Sequence, residues 1–388
     1  MKYNVIDVGT HVNPPAEMWV ERFPKDLRDL APRKEMRSNQ LGEYEVLVCE
    51  DMEIRHIGST LGVPYDEHYG DGPFARMFSD GPKGGHDPHA RIADMDKYGI
   101  DAQVIVQCLH GGGALGAPDL APKNRQTWWG CIRAYNDWIT DFCAVSPDRL
   151  LGVGQLPTWD MELMLREVRT IKDKGLRAVL LPIVPGRSTE WATPADYDYA
   201  NPWWEPLWDE LENLDLPVVA HVGSTTATPS LTGPPHRLEP PRGLINVWTN
   251  KTSASEMVAS LFLSGTLDRH RKLRFVLNET GIGWAAHFVP WMDTHVEFNP
   301  TLYKKFGFKR KPSEAWRDHF LASTLWDSCG VKNRDVIGIE TFAWCSDYPE
   351  TYGTFTRAKA QQDRDYGACT PEERHAVLAG NAMRVFKL

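Results

Sequence analysis

Four polar residues that are far apart in the chain have side chains that commonly ligate divalent metals. They are two histidines and two acids, His11, His221, Glu279 and Asp347, and each of them ends or follows a short apolar run. Taken singly, a histidine in such a place is more often a hydrogen-bonded structural residue. Two imidazoles and one or two carboxylates that converge could hold a cation with an open position for water or substrate. Such a cation polarises a carbonyl or carboxylate, or generates hydroxide near neutral pH.

Convergence of these residues requires elements that end on one side of the molecule. Near-continuous apolar runs are typical of parallel strands covered on both faces. The runs span residues 3–8, 102–107, 150–154, 177–181, 216–221, 273–278, 319–323 and 341–346. Helical patterns lie between or after them at 123–145, 160–174, 202–214 and 370–388. This alternation predicts a parallel sheet, closed or open. In a closed barrel, strand ends of one polarity converge on the face that carries the active site.

The composition is that of a globular protein without a nucleic-acid or membrane partner. The chain has 388 residues and a net charge of -9, with no run of Lys and Arg that would contact phosphates. It has no uninterrupted apolar stretch of about 18 residues and no signal-peptide pattern after Met1. Its seven cysteines include no CxxC pair, which argues against a disulfide framework or a structural zinc site. We therefore expect a cytoplasmic location.

Two segments are too long to be simple connections between strands. Residues 13–90 contain many charges, glycines and prolines, and we expect them to form an inserted subdomain or lid after the first strand. Residues 222–250 contain five prolines and directly follow the run that ends at His221, which favours a loop that shapes the substrate pocket. We expect residues 1–388 to form a single barrel domain that includes both segments.

Seven phrases of the sequence, in their order and spacing, point to a known family. They are VIDVGTH (5–11), ARIADMDKYGID (90–101), SPDRL (146–150), PVVAH (217–221), NETGIGW (278–284), SDYP (346–349) and GNAMRVF (380–386). The chain resembles the amidohydrolase-related family of the amidohydrolase superfamily, the group that includes aminocarboxymuconate-semialdehyde decarboxylase. The resemblance implies a distorted (β/α)8 TIM barrel and one divalent metal, zinc or manganese. It also implies a homodimer and the decarboxylation, hydrolysis or hydration of a small, often aromatic or unsaturated, carboxylate.

The resemblance assigns roles to three of the residues named above. His11 matches the second ligand of the HxH or ExH motif on the first strand, and His221 matches the ligand on the fifth strand. Asp347 matches the aspartate of the eighth strand, which in the family touches the metal and moves protons. The resemblance therefore implies that His11, His221 and Asp347 are metal ligands.

Three departures from the family pattern leave the mechanism open. Gly9 stands where the motif has its first ligand, Glu279 stands where relatives have a catalytic histidine, and Glu350 replaces another histidine. The three remaining ligands are enough for a catalytic metal, and Glu279 could be a fourth ligand or the general base. Alternatively the metal is absent, and Asp347 and Glu279 act as the acid and base of a metal-independent hydrolase. A third hypothesis is a binding barrel without catalysis.

The leading hypothesis is a metal-dependent decarboxylase or hydrolase. In decarboxylation Asp347 would protonate the carbon that loses CO2, and in hydrolysis Asp347 or Glu279 would be the base for a metal-bound water. The predicted catalytic residues are Asp347, Glu279 and His221. The predicted substrate contacts are His110, Trp284 and Glu350.

Overall fold

The computed structural model describes residues 3–39, 42–50, 52–56, 77–107, 124–185, 198–222, 249–305, 307–350 and 353–388. Its strands are β1 (Ile6–Val12), β2 (Arg33–Asn39), β3 (Gly42–Cys49), β4 (Met52–His56), β5 (Ala102–Gln107), β6 (Leu150–Gln155), β7 (Ala178–Leu181), β8 (Val218–His221), β9 (Phe275–Asn278), β10 (Phe320–Thr324) and β11 (Phe342–Trp344). No helix within these ranges has both the length and the apolar character needed to cross a membrane.

Eight of the strands form one parallel sheet in the order β1-β5-β6-β7-β8-β9-β10-β11. The two ends of this sheet meet just beyond β11. Thr10 forms a parallel bridge with Tyr348, and the His11 backbone N–H donates to the Tyr348 carbonyl oxygen at 2.6 Å. The sheet is therefore a nearly closed barrel, and the predicted (β/α)8 fold is confirmed.

The first strand is longer than its sequence indicates. The apolar run ends at Val8, but β1 continues to Val12 because its register with β5 shifts between Asp7 and Thr10. This bulge restores pairing, so that His11 lies opposite Val106 within the sheet. His11, which lies three residues beyond the apolar run in the sequence, is therefore part of the strand itself.

Helices surround the barrel. They span Ala16–Arg22, Pro88–Tyr98, Arg125–Ala144, Met161–Asp173, Glu205–Leu214, Ala254–Leu263, Thr266–Arg269, Ala285–Phe298, Pro300–Lys304, Pro312–His319, Ser328–Lys332, Arg334–Ile337, Ala358–Tyr366, Pro371–His375 and Asn381–Phe386. The helix Pro88–Tyr98 shows why such segments form. The Asp87 side chain accepts from two backbone N–H groups at its start, and Gly99 ends it in the left-handed conformation. The predicted C-terminal helix is interrupted by a π-helical turn at Ala376–Gly380.

The barrel has an inner and an outer apolar layer. Side chains such as Val104, Val153 and Val219 belong to the cluster inside the barrel. Aromatic rings fill the space between strands and helices, and the Trp316 ring stacks on Phe320 with centroids 5.4 Å apart. This arrangement makes the strands apolar on both faces, which is why their sequences do not alternate.

The insertion after β1 adds a second, smaller sheet. Strands β2, β3 and β4 pair antiparallel within the segment 13–90. Trp19 and Leu47 of this segment belong to the same buried cluster as Trp138, so its described part packs against the barrel. A lid function for it stays a prediction. Residues 223–248, most of the predicted pocket loop, lie outside the described residues.

Candidate active site

The carboxyl ends of the strands bring together the four residues predicted from the sequence. His11 lies near the end of β1, His221 is the last residue of β8, Glu279 follows β9, and Asp347 follows β11. All four are buried, with exposed fractions of 1%, 0%, 5% and 6% in that order. Ionisable groups buried to this degree require partners, and these four are one another's partners.

The two imidazoles and two carboxylates converge on a single point. Glu279 Oε1 lies 2.9 Å from His11 Nε2 and 2.8 Å from His221 Nε2. Asp347 Oδ1 lies 3.2 Å from the same His11 Nε2. One donor atom each from His11, His221 and Glu279 lie within 4.8 Å of one another. This spacing allows one cation to contact all three residues.

The hydrogen bonds of the other ring nitrogens indicate what these histidines present to the site. His11 Nδ1 faces the Gln107 carbonyl oxygen at 3.4 Å, and His221 Nδ1 faces the Val222 carbonyl oxygen at 2.5 Å. A carbonyl only accepts, so each Nδ1 carries the proton and each Nε2 of a neutral ring presents a lone pair. Lone pairs aimed at a carboxylate oxygen repel it unless positive charge lies between them. This donor set therefore fits a divalent metal, whose histidine ligands usually donate the other ring N–H to a carbonyl or carboxylate.

The surroundings shift the pKa values of Glu279 and Asp347 in opposite directions. Burial opposes ionisation of Glu279, but His221 and His11, when each also carries a proton on Nε2, outweigh it with their positive charges and hydrogen bonds and hold its pKa well below the usual value. Burial, together with the negative charge of Glu279, raises the pKa of Asp347 well above its usual value. Two nearby carboxyl groups with separated pKa values are a common basis for distinct ligand and proton-carrying roles.

Both acids occupy strained backbone positions. Glu279 has a φ of 57° and Asp347 a φ of 60°, in the left-handed region that residues other than glycine rarely adopt. The Glu279 N–H donates to Ser323 Oγ at 2.6 Å, and its carbonyl accepts from Lys251 Nζ at 2.5 Å. The Asp347 N–H donates to the Gly9 carbonyl at 2.9 Å. Strain of this kind persists where surrounding contacts fix the chain, and it is frequent in active sites.

Gly9 is packed so closely that it could not carry a side chain without displacing its neighbours. A Cβ atom at Gly9 would overlap Asn278 Oδ1 and would lie 2.9 Å from Cys345 Cβ. The side chain of Asn278 therefore occupies the space that a ligand from position 9 would need.

Of the predicted substrate contacts His110, Trp284 and Glu350, the two that the structure describes are not among the residues that form the cluster. His110 lies outside the described residues. The Trp284 indole N–H donates to the Gly281 carbonyl, and its ring packs edge-on against Trp316, among the helices. Glu350 is half-buried at the end of the turn after Asp347, to whose carbonyl its N–H donates at 2.7 Å. Substrate contacts by these residues stay predictions.

A buried network of hydrogen bonds lies behind the site. Arg91 is fully buried and donates from Nη1 to the His11 carbonyl and from Nε to Gln103 Oε1, both at 2.6 Å. Gln103 donates to Asp7 Oδ2 at 3.3 Å, and the Ser346 N–H donates to Asp7 Oδ1 at 2.8 Å. Burial raises the pKa of Asp7 to about 7 despite these hydrogen bonds. In the sequence, the signals for this network are an acid, Asp7, inside an apolar strand and an arginine, Arg91, in a helix next to a strand, and neither shows that the two belong together.

Comparisons with known proteins agree with this architecture. Residues 6–388 match the model of a family described as amidohydrolase. A γ-resorcylate decarboxylase from Rhizobium radiobacter is 27% identical over 309 residues, which are 77% of this chain and 86% of that protein.

Two solved structures show the same fold. An amidohydrolase from Mycobacterium avium subsp. paratuberculosis has a TM-score of 0.77 and 18% identity over 100% of this chain and 99% of that chain. A dihydroxybenzoic acid decarboxylase from Polaromonas sp., solved with bound manganese and the inhibitor 2-nitroresorcinol, has a TM-score of 0.63 and 18% identity over 100% of this chain and 97% of that chain. At these identities the likeness concerns the fold alone.

The family match starts at the first residue of β1 and runs to Leu388, so it includes every strand of the barrel and all four clustered residues. The chain therefore belongs to the amidohydrolase family and is an enzyme.

Proposed function

We propose that this enzyme is a metal-dependent decarboxylase that acts on a small aromatic carboxylate. The observation that carries the proposal is the convergence of His11, His221 and Glu279 on one point, with Asp347 beside them. The γ-resorcylate and dihydroxybenzoic acid decarboxylases that resemble this chain support the reaction and the substrate class. A small-molecule substrate also agrees with a site enclosed within the barrel mouth.

His11, His221 and Glu279 would hold the metal, and the Asp347 carboxyl group would lie beside it. A divalent cation bound there would polarise the carboxylate of the substrate and an adjacent hydroxyl or carbonyl oxygen. Imidazole and carboxylate ligands suit zinc, and carboxylate oxygens also suit manganese. The manganese bound by the Polaromonas relative makes that ion the first one to test.

Asp347 is the proposed proton donor. It is buried beside the ionised Glu279, which favours the protonated form of Asp347. Asp347 gives its proton to the ring carbon that bears the carboxylate. The bond between that carbon and the carboxylate then breaks, its electron pair returns to the ring, and CO2 leaves. A proton from water restores Asp347 before the next cycle.

Glu279 and His221 act in this proposal as ligands rather than as the base. Glu279 Oε1 lies 2.9 Å from His11 Nε2 and 2.8 Å from His221 Nε2, so its carboxylate is directed at the imidazoles and away from a substrate proton. His110, Trp284 and Glu350 remain the proposed substrate contacts. A homodimer and a cytoplasmic location also stay predictions.

The test combines metal analysis with product analysis. The protein is stripped with a chelator, reloaded with Mn2+ or Zn2+, and incubated with hydroxybenzoates while CO2 and the ring product are measured. We expect stoichiometric metal and metal-dependent CO2 release that is lost in His11→Ala. His295→Ala is the matched control, because His295 bonds to Tyr303 on the outer helices. CO2 release by the stripped protein would favour the metal-independent alternative, and product formation without CO2 would favour hydrolysis.

A further inference from the structure

Three residues next to the cluster lie on three different strands of the barrel and form a chain of contacts that ends at Glu279. They are Gly9 in β1, Asn278 at the end of β9 and Ser323 in β10, and all are buried. We infer that Asn278 and Ser323 are positioning residues that hold the Glu279 carboxylate at the metal site, and that Gly9 provides the space they need. This inference rests on the metal site of the proposed function.

The backbone of Glu279 is held in an unusual conformation. Its left-handed conformation turns the chain directly after β9, and the side chain is thereby directed at His11 and His221. Both sides of the residue are held by side chains from other elements. Ser323 Oγ accepts its N–H at 2.6 Å, and Lys251 Nζ donates to its carbonyl at 2.5 Å. Loss of the Ser323 bond would free the turn to relax towards ordinary backbone angles.

The Ser323 hydroxyl is oriented by Asn278. A serine hydroxyl has one proton and two lone pairs. Ser323 donates its proton to Asn278 Oδ1 at 2.9 Å, which leaves its lone pairs for the Glu279 N–H. Asn278 therefore determines the direction of the hydrogen bond that holds Glu279.

The position of Asn278 also explains why residue 9 is a glycine. The Asn278 carboxamide oxygen lies so close to position 9 that it would overlap the Cβ of any other residue there. A side chain there would displace Asn278 and with it the acceptor of the Ser323 proton. Gly9 is thus coupled to Glu279 through two hydrogen bonds, although it contributes no side chain to the metal site.

The test measures metal affinity in the full-length protein without reference to turnover. Metal-free wild type, Ser323→Ala and Asn278→Ala are titrated with Co2+, whose visible spectrum reports the geometry of its ligands. Removal of partners that orient metal ligands typically weakens metal binding about 10–100-fold, and we expect losses in that range together with a changed spectrum. Thr324→Val is the matched control. It removes a buried hydroxyl from the next residue of β10, which bonds to Ala343 and Tyr366 instead of Glu279.

The outcomes separate this inference from the proposed function. In one outcome, wild type binds Co2+ and the variants His11→Ala and Glu279→Gln do not, which supports the metal site. If Ser323→Ala and Asn278→Ala then bind Co2+ as tightly as wild type, the inference is wrong. If wild type binds no Co2+, both fail together. If Ser323→Ala does not fold, the result for Asn278→Ala decides. This variant keeps Ser323 but removes the acceptor that orients its hydroxyl towards the Glu279 N–H. A loss of affinity equal to that of Thr324→Val would also overturn the inference, because it would reflect general destabilisation.

Discussion

Replacement of Gly9 by alanine tests how tightly the barrel is packed below the metal site. The added Cβ would overlap Asn278 Oδ1 and lie 2.9 Å from Cys345 Cβ, so at least one neighbour must move. Overpacking of a rigid core costs about 1–3 kcal/mol, and the loss of the bond between Ser323 and Asn278 adds about 1 kcal/mol. Alanine recovers about 0.5–1 kcal/mol by restricting the unfolded chain. We therefore expect Gly9→Ala to lower the free energy of unfolding by about 2 kcal/mol.

The assay is urea unfolding of the metal-free protein, followed by fluorescence and circular dichroism. Metal-free conditions separate packing from metal binding, and an unchanged slope would show that a shift in midpoint reflects stability. Asn278→Ala removes the atom that the new Cβ would meet, so the double variant should be more stable than the sum of the single effects predicts. Contacting residues typically couple by about 0.5–3 kcal/mol. Strict additivity, or a Gly9→Ala protein as stable as wild type, would refute the packing argument.

Three further predictions concern chemistry and stability. Asp347→Asn should lower kcat about 100-fold or more under saturating metal, because the proposed proton donor is lost; an unchanged kcat would remove Asp347 from catalysis. Asp7, with its pKa raised from 3.8 to about 7, keeps a proton on folding that the unfolded chain releases. Stability should therefore fall by up to about 4 kcal/mol between pH 4 and pH 7 and level off above, and Asp7→Asn should flatten this slope in urea titrations. Arg91→Met should weaken Co2+ binding, because the His11 carbonyl loses its buried donor; unaltered affinity would show that the network only stabilises the fold.

The barrel was predictable because its strands are short, apolar and separated by helical patterns. The face of the barrel that carries the site was also predictable, because polar residues that follow parallel strands meet at the carboxyl ends of those strands. His221 and Glu279 stand directly at the ends of apolar runs, where the sequence alone marks them. The bulge in β1 was not predictable, because Gly9 and Thr10 interrupt the apolar run and the shift in register appears only when β5 lies alongside.

The packing around the site could not be derived from the sequence. Asn278 and Ser323 are the last residues of two predicted strands, but nothing in their spacing shows that they touch each other. The division of labour between Glu279 and Asp347 also depends on distances of 2.8–3.2 Å to the imidazoles, which no linear pattern encodes. Gly9 illustrates the difference most clearly. In the sequence it is a missing ligand, whereas in the structure it is the residue that admits Asn278.

The departures at positions 9 and 279 both bear on the negative charge of the cluster. A divalent cation between two neutral imidazoles needs negative charge beside it in a buried site of low dielectric. With Gly9 and a neutral residue at position 279, Asp347 would be the only acid in the cluster. Glu279 supplies this charge from the end of β9, within 2.9 Å of both imidazoles, while Asp347 holds a proton. Glu279→Gln removes this charge with little change of shape, so it should weaken Co2+ binding more strongly than Ser323→Ala does. Equal affinity in Glu279→Gln and wild type would show that Glu279 is not a ligand.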